Sequence, residues 1–240
     1  MTNLLDLAIK AHGGSERWQE ITQLSAHVVI GGGLWHLKGW PGVFADAYVK
    51  ADPRDQCIEY TPFQDSSRRL LMTPELVAVV GGDGKNIEER REPRQAFKGH
   101  TLQTPWDALH LAYFSGYAMW GYLTAPFMFA YPGFQTEEIE PWDENGESWR
   151  RLKVTFPEEI HAHCREQVFY FDANGLLRRN DYRVDIIGSG STSAHYASEH
   201  KSFGGIVFPT QRRVYPIGAD NKPVLERVLV SIDVKEVEVA

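Results

Sequence analysis

Between residues 22 and 30 apolar and polar positions alternate, with Leu24, Ala26, Val28 and Ile30 on one face. That period of two predicts a half-buried strand. Further strand-like runs cover about 34–39, 44–51, 55–61, 67–73 and 75–80, and Asp83-Gly84 is a hairpin-type turn. The second half repeats this grammar. Segments 134–142 and 148–156 flank the turn DENG, and 165–171 and 176–187 flank DANG. Residues 191–200, 205–215 and 224–239 follow as long strands. In the last, Val228, Val230, Ile232 and Val234 share a face, then the phase slips to Val237 and Val239. A bulge near Lys235-Glu236 accounts for the slip. Ahead of the strands, Asn3 caps an amphipathic helix stopped by Gly13-Gly14, and Ser15 caps a second short helix, SERWQEI. Gly31-Gly32-Gly33 makes a break or bulge, and GSGS at 188–191 a loop.

One stretch breaks the strand pattern. Residues 104–134 hold ten of the chain's 29 aromatic residues, and positions 111–136 are 26 uncharged residues in a row. That length could span a bilayer. Pro126, Pro132, interior glycines and mid-segment tyrosines suit a span poorly, and it would split the strands across a membrane. No transmembrane segment is therefore expected. The pattern instead predicts a helix from Thr104 as N-cap, with Pro105 in its first turn, to about Leu123, broken by Pro126. On it Trp106, His110, Tyr113, Tyr117 and Trp120 form one stripe, and Leu111, Phe114, Ala118 and Tyr122 a second. Ala108, Ala112, Ser115 and Met119 form a third of mostly small residues. A helix apolar all round is buried. Its aromatics either fill the interior or line a pocket in it. Polar tips on Tyr113, Tyr117, Tyr122 and Trp120, each needing a partner if buried, favour a pocket.

With strands on both sides of one helical segment and no linker, the reading is a single α+β domain over 1–240. It divides into N-terminal helices (1–21), first strands (22–103), a helical plug or lid (104–133) and remaining strands (134–240). Its curved antiparallel sheet forms an incomplete β-barrel, closed over a hydrophobic interior by the central aromatic helix. Composition is that of a globular chain, 24% charged and 42% hydrophobic. The net charge of −7 argues against nucleic acid as a partner. Arg90, Arg91 and Arg94 alternate with Glu88, Glu89 and Glu92, a solvated face. The N-terminus lacks a basic region and a cleavage site, so a cytoplasmic location is expected, with Cys57 and Cys164 as free thiols.

The opening AHGGSERWQEITQLSAHVVI resembles the start of the outer-membrane lipoprotein carrier (LolA-like) superfamily, in which two short helices lead into the first strand. FYFDANGLLRRNDY and YASEHKSFGGIVFPTQRRVY resemble its later strands. The resemblance covers both ends of the chain and includes no catalytic signature. It implies an incomplete antiparallel barrel, closed by helices around a hydrophobic cavity that carries or senses acylated proteins or lipids. The family is normally exported, which the N-terminus does not suggest here.

Candidate chemistry is sparse. Asp107 and His110, three apart on the helix, could act as orienter and general base, or simply favour the helix N-terminus and the core. His161, His163 and Cys164 match no strong zinc pattern, so neither metal nor cofactor is expected. Arg178 shares a predicted strand face with Tyr182, and Arg212 shares one with Phe208 and Val214. If those faces turn inward, each cation needs a partner such as Glu166, Asp181 or a ligand carboxylate; at strand ends, water would suffice. Two functional readings follow. The first is a protein that binds a hydrophobic or aromatic small molecule or lipid-like ligand, with an acid headgroup within its range. Trp106, Tyr113, Phe114, Tyr117, Trp120, Phe127, Arg178, Tyr182 and Arg212 would be the binding residues. The second is a cofactor-independent lyase, isomerase or cyclase in the same cavity, with Asp107 and His110 catalytic.

Overall fold

The computed structural model describes residues 3–188, 192–218 and 221–240. The chain opens with α1 (Leu4–Ala11), whose first turn is closed by Asn3 Oδ1 accepting from Leu5 N at 2.9 Å. In α2 (Ser15–Glu20) the cap position is Gly14, so Ser15, expected as the cap, is the first helical residue. Strand β1 (Leu24–Gly31) buries every second residue from Leu24 to Ile30, as the alternation requires.

After β1 the structure departs from the sequence pattern. Residues 34–39, read as a strand, begin with a helix, α3 (Gly33–Leu37). Leu34 and Trp35 are adjacent and both buried, which one face of a helix accommodates and a one-sided strand does not. Gly32 makes the turn possible. It has φ of 113°, and a Cβ there would lie 2.4 Å from Leu229 O.

Five antiparallel strands follow: β2 (Ala47–Ala51), β3 (Ile58–Thr61), β4 (Arg69–Met72), β5 (Leu76–Val80) and β6 (Asn86–Arg91). The chain then enters the long helix α4 (Ala108–Thr124). The second half adds β7 (Gln135–Glu144), β8 (Glu147–Thr155), β9 (Glu166–Phe171) and β10 (Leu177–Arg183). It ends with β11 (Thr192–Phe203), β12 (Ile206–Pro216) and β13 (Val230–Val239). The segment 224–229, read as the start of the last strand, is instead loop and turn. Beyond Gly188, the loop expected at 188–191 lies outside the described residues, as does Ser191, the first residue of the strand expected at 191–200.

The thirteen strands among the described residues form one sheet in the order β6-β5-β4-β3-β2-β1-β13-β12-β11-β10-β9-β8-β7. The first and last strands of the chain's two halves, β1 and β13, pair at its centre, while β6 and β7 are its two free edges. The barrel is thus incomplete. The segment joining those edges carries α4 across the concave face. The phase slip in β13 is a bulge, since His27 faces Glu236 and Val28 faces Val234, leaving Lys235 unmatched.

Helix α4 starts later than Thr104. A residue before proline is driven to extended backbone, and Thr104 Oγ1 instead accepts from Thr101 N at 2.9 Å. The N-cap is Asp107, which accepts from His110 N at 2.8 Å while His110 Nδ1 accepts from Asp107 N at 3.3 Å. Residues Leu111 to Trp120 are buried without interruption. Close approach to β4 depends on Gly116, where a Cβ would sit 2.5 Å from Met72 Cβ. Among the described residues no helix is long and apolar enough to cross a membrane.

Candidate ligand cavity

A cavity of about 330 Å³ remains between α4 and the concave sheet, at the lower end of small-molecule sites, roughly 300–1,000 Å³. The helix contributes Phe114, Ser115, Ala118, Met119 and Tyr122 to its wall. The sheet contributes Ile30, Ile232, Val230 and Val214 on one side and Tyr182 and Ser193 on another. Leu34, Trp35, Leu102, Ile187, Arg227 and Leu229 come from α3 and the loops. The lining is mostly apolar, with a few hydroxyls and Arg227. Lys38, fully buried, holds the loop that carries Leu102. Its Nζ donates to the carbonyls of Thr101 (3.1 Å), Leu102 (2.6 Å) and Thr104 (3.0 Å) and lies 4.8 Å from the Trp106 ring centre. Burial pushes this ammonium down to a pKa of about 8.

At one end of the cavity a chain of hydrogen bonds reaches the wall. Tyr122 Oη lies 2.7 Å from His163 Nε2 and 3.1 Å from Tyr182 Oη, and His163 Nδ1 lies 3.2 Å from Tyr117 Oη. The His163 ring stacks on Tyr182 with centroids 4.0 Å apart. Burial lowers the His163 pKa to about 3, with a smaller push from Arg94, and raises Tyr122 to about 12. At neutral pH the imidazole is uncharged and both phenols are protonated, so one ring nitrogen can donate while the other accepts. His163 sits in the loop between β8 and β9, not on a strand.

The sequence-predicted residues scatter around this site. Phe114 and Tyr182 line the cavity. Tyr113 and Tyr117 point to the other side of α4, toward His161 (Oη to Nδ1, 3.0 Å) and His163. Trp120 is fully buried and donates to Asp52 O at 2.7 Å. Phe127 stacks on Trp18 at 4.2 Å, and Trp106 packs against Phe114 at 4.9 Å. Tyr113, Tyr117, Trp120, Phe127 and Trp106 thus serve as core rather than as wall of this cavity. Asp107 and His110 form the cap of α4 and do not line the cavity. Asp107 is paired with Arg90 (2.6 and 3.2 Å), and His110 Nε2 meets Ala96 O at 3.3 Å beside Phe97 and His100. Burial would raise the Asp107 pKa, but Arg90 and the His110 N–H outweigh it and hold the carboxylate below its usual range.

The two arginines part company. A register shift between Leu177 and Arg179 turns Arg178 to the outer face, over Trp149 (5.7 Å) and within 4.0 Å of Glu147. The neighbouring Arg179, not singled out from sequence, pairs with Asp181 (2.6 Å) and Glu144 (2.8 Å) on that face. Arg212 faces inward at 4% exposure; its Nη2 donates to Tyr122 O at 2.8 Å and its guanidinium lies 5.1 Å from the Tyr122 ring. Among the described residues it forms no ion pair. In the sequence the strand face shared by His195 and Glu199 is only a weak signal at ordinary strand spacing, and Tyr122 and His163 carry no binding role. In the structure His195 shares the inner face with Ser193. No group of three or more His, Cys, Asp or Glu among the described residues could hold a metal ion.

No family model matches the sequence, and no curated protein is significantly similar to it. The architecture is more widely shared. The chain superposes on a LolA superfamily protein from Nitrosomonas europaea with a TM-score of 0.53 at 10% identity, covering 99% of this chain and 92% of that one. The chain has a LolA-like fold. A DUF1329 family protein from Desulfovibrio piger matches equally well, with a TM-score of 0.53, 12% identity and coverage of 98% and 91%. At such identities the likeness is one of fold.

Proposed function

We propose that this protein binds a hydrophobic small molecule or lipid-like ligand in the cavity between α4 and the sheet. The observation that carries this reading is an apolar volume of about 330 Å³ left open beside a helix that is otherwise packed on every side. Close-packed interiors keep few voids of this size without a use. The LolA-like fold, whose named example belongs to a superfamily called after a lipoprotein carrier, fits that use. Fluorescence titration with the neutral probe N-phenyl-1-naphthylamine tests it. Saturable binding at one site, lost in Ala118→Phe, is expected, because Ala118 lies on the cavity wall and a phenyl ring there occupies the space. No saturable binding, or binding indifferent to Ala118→Phe, would sink the proposal. Native mass spectrometry before and after organic extraction then gives the class of any co-purified ligand.

A second reading is favoured by one observation, the contact of Tyr122 Oη with His163 Nε2 at 2.7 Å on the cavity wall. A cofactor-independent acid–base enzyme acting on the same ligand would use Tyr122 as the group facing substrate and His163 as its proton partner. It requires Tyr122→Phe to bind the ligand normally while abolishing its conversion. Unaltered conversion by Tyr122→Phe would remove this reading.

A further inference from the structure

Beyond the cavity wall the two inner-facing strand rows continue into a buried polar cluster with unmet hydrogen-bonding capacity. On β11, Ser193 lines the cavity and His195 follows two residues on along the same face. On β12, Val214 lines the cavity and Arg212 follows in the same way. His195 and Val214 are directly opposite in the register, so His195 and Arg212 are diagonal neighbours one step past the empty volume. The Tyr122 ring is the partition. It meets the His195 ring edge-on at 4.5 Å and lies beneath the Arg212 guanidinium at 5.1 Å.

This cluster is rich in donors and poor in acceptors. Among the described residues, both ring nitrogens of His195, which is 1% exposed, lack a hydrogen-bond partner, as do His12 Nε2 and His200 Nε2. The charge on Arg212 acts on all three histidines, and every one is held below its usual pKa, by burial first. Asp172 acts on His12 and His200, but is not among the groups acting on Arg212 or His195. Burial brings Arg212 down to about 10, so the guanidinium is still charged at neutral pH. A buried cation without a carboxylate and a buried imidazole without a partner are each costly. One acceptor-only group would answer both. A carboxylate has that chemistry, since its two oxygens accept from a guanidinium fork and from an imidazole N–H.

We propose that Arg212 and His195 form the headgroup site for an amphipathic carboxylic acid, whose apolar body occupies the cavity while its carboxylate passes the Tyr122 ring. This rests on the cavity binding a hydrophobic ligand, and it adds the ligand's chemical class and the residues that select it. Tyr122 must turn aside to admit the headgroup, which breaks its contact with His163.

The test compares decanoic acid with 1-decanol, the same chain without the charge, by displacement of N-phenyl-1-naphthylamine at neutral pH. The expected result is that the acid binds more tightly than the alcohol by at least about tenfold, the usual strength of one buried hydrogen bond to a charged group. In Arg212→Met, which keeps an unbranched side chain at that position, the preference should vanish while the alcohol binds as before. His195→Leu should narrow the preference without removing it. Acetate serves as the lone-anion arm and should displace no probe. Equal binding of acid and alcohol in the wild type would overturn the headgroup site and leave the cavity standing. Acid preference that survives Arg212→Met would overturn the assignment to Arg212. Acetate competing as well as decanoate would mean a small-anion site, against the amphipathic ligand. Failure of the probe, the acid and the alcohol alike would overturn the cavity reading and this one with it. Circular dichroism of each variant, together with its alcohol affinity, separates loss of the site from loss of the fold.

Discussion

Lowering the pH should destabilise this protein through its buried histidines before its carboxylates protonate. His12 and His163 have pKa values of about 4 and about 3 in the folded chain, against a usual 6.5. Burial is the first cause in both cases, because the interior does not solvate an imidazolium. The unfolded chain therefore binds protons that the folded chain refuses. The stabilising contribution is complete above the unfolded value of 6.5 and is lost as pH falls toward the folded values. At pH 5 each of these imidazoles costs about 2 kcal/mol, at about 1.4 kcal/mol for every pH step below the unfolded value. Together they remove about 4 kcal/mol of a total stability of roughly 5–15 kcal/mol. His195, held well below its usual pKa by burial, acts in the same direction. Asp107, whose pKa is depressed, loses its contribution only below the ordinary carboxylate value of 3.8, outside this window. Urea unfolding followed by tryptophan fluorescence at pH 7.5 and pH 5.0 measures the difference, provided the denaturant slope is unchanged. His163→Gln should start from lower stability, having lost its tyrosine contacts, but should lose about 2 kcal/mol less between the two pH values. Equal midpoints at both pH values, or an unaltered loss in His163→Gln, would refute the assignment of neutral buried histidines.

Other consequences are more local. Gly116→Val should destabilise by about 1–3 kcal/mol or more, since its first added carbon falls 2.5 Å from Met72 Cβ; thermal melting reads this directly. Trp120→Ala should cost about 3–5 kcal/mol, the ring being fully buried and bonded to Asp52 O. Asp107→Ala should remove the cap of α4 for about 0.5–2 kcal/mol and leave N-phenyl-1-naphthylamine affinity unchanged, as Asp107 does not line the cavity. A change in probe affinity with the fold intact would return Asp107 to the site.

The sequence by itself determined the elements whose burial is one-sided. The alternation from Leu24 to Ile30, the turns at 143–146 and 172–175 and the slip at Lys235 all come from a period of two against a single apolar face. The aromatic helix was legible too, because no polar stripe runs along it and Pro126 ends it. The start of that helix was less so. Thr104 and Asp107 are both good caps, and the choice fell to Asp107 through Arg90 and His110, the first of which comes from β6. Only the tertiary structure decided what the aromatics do. A helix buried all round gives no sequence signal for which side meets packed sheet and which meets a void, so Trp120 and Phe114 look alike until the sheet curls around them. The inward and outward arginines were undecidable for a related reason. One extra residue near Leu177 flips every later side chain of β10, and a bulge of this kind is set by pairing with β9, which lies outside the local pattern. Arg212 and His195 came together because β11 and β12 pair in a register that places them on the diagonal, a relation between strands that neither strand encodes alone.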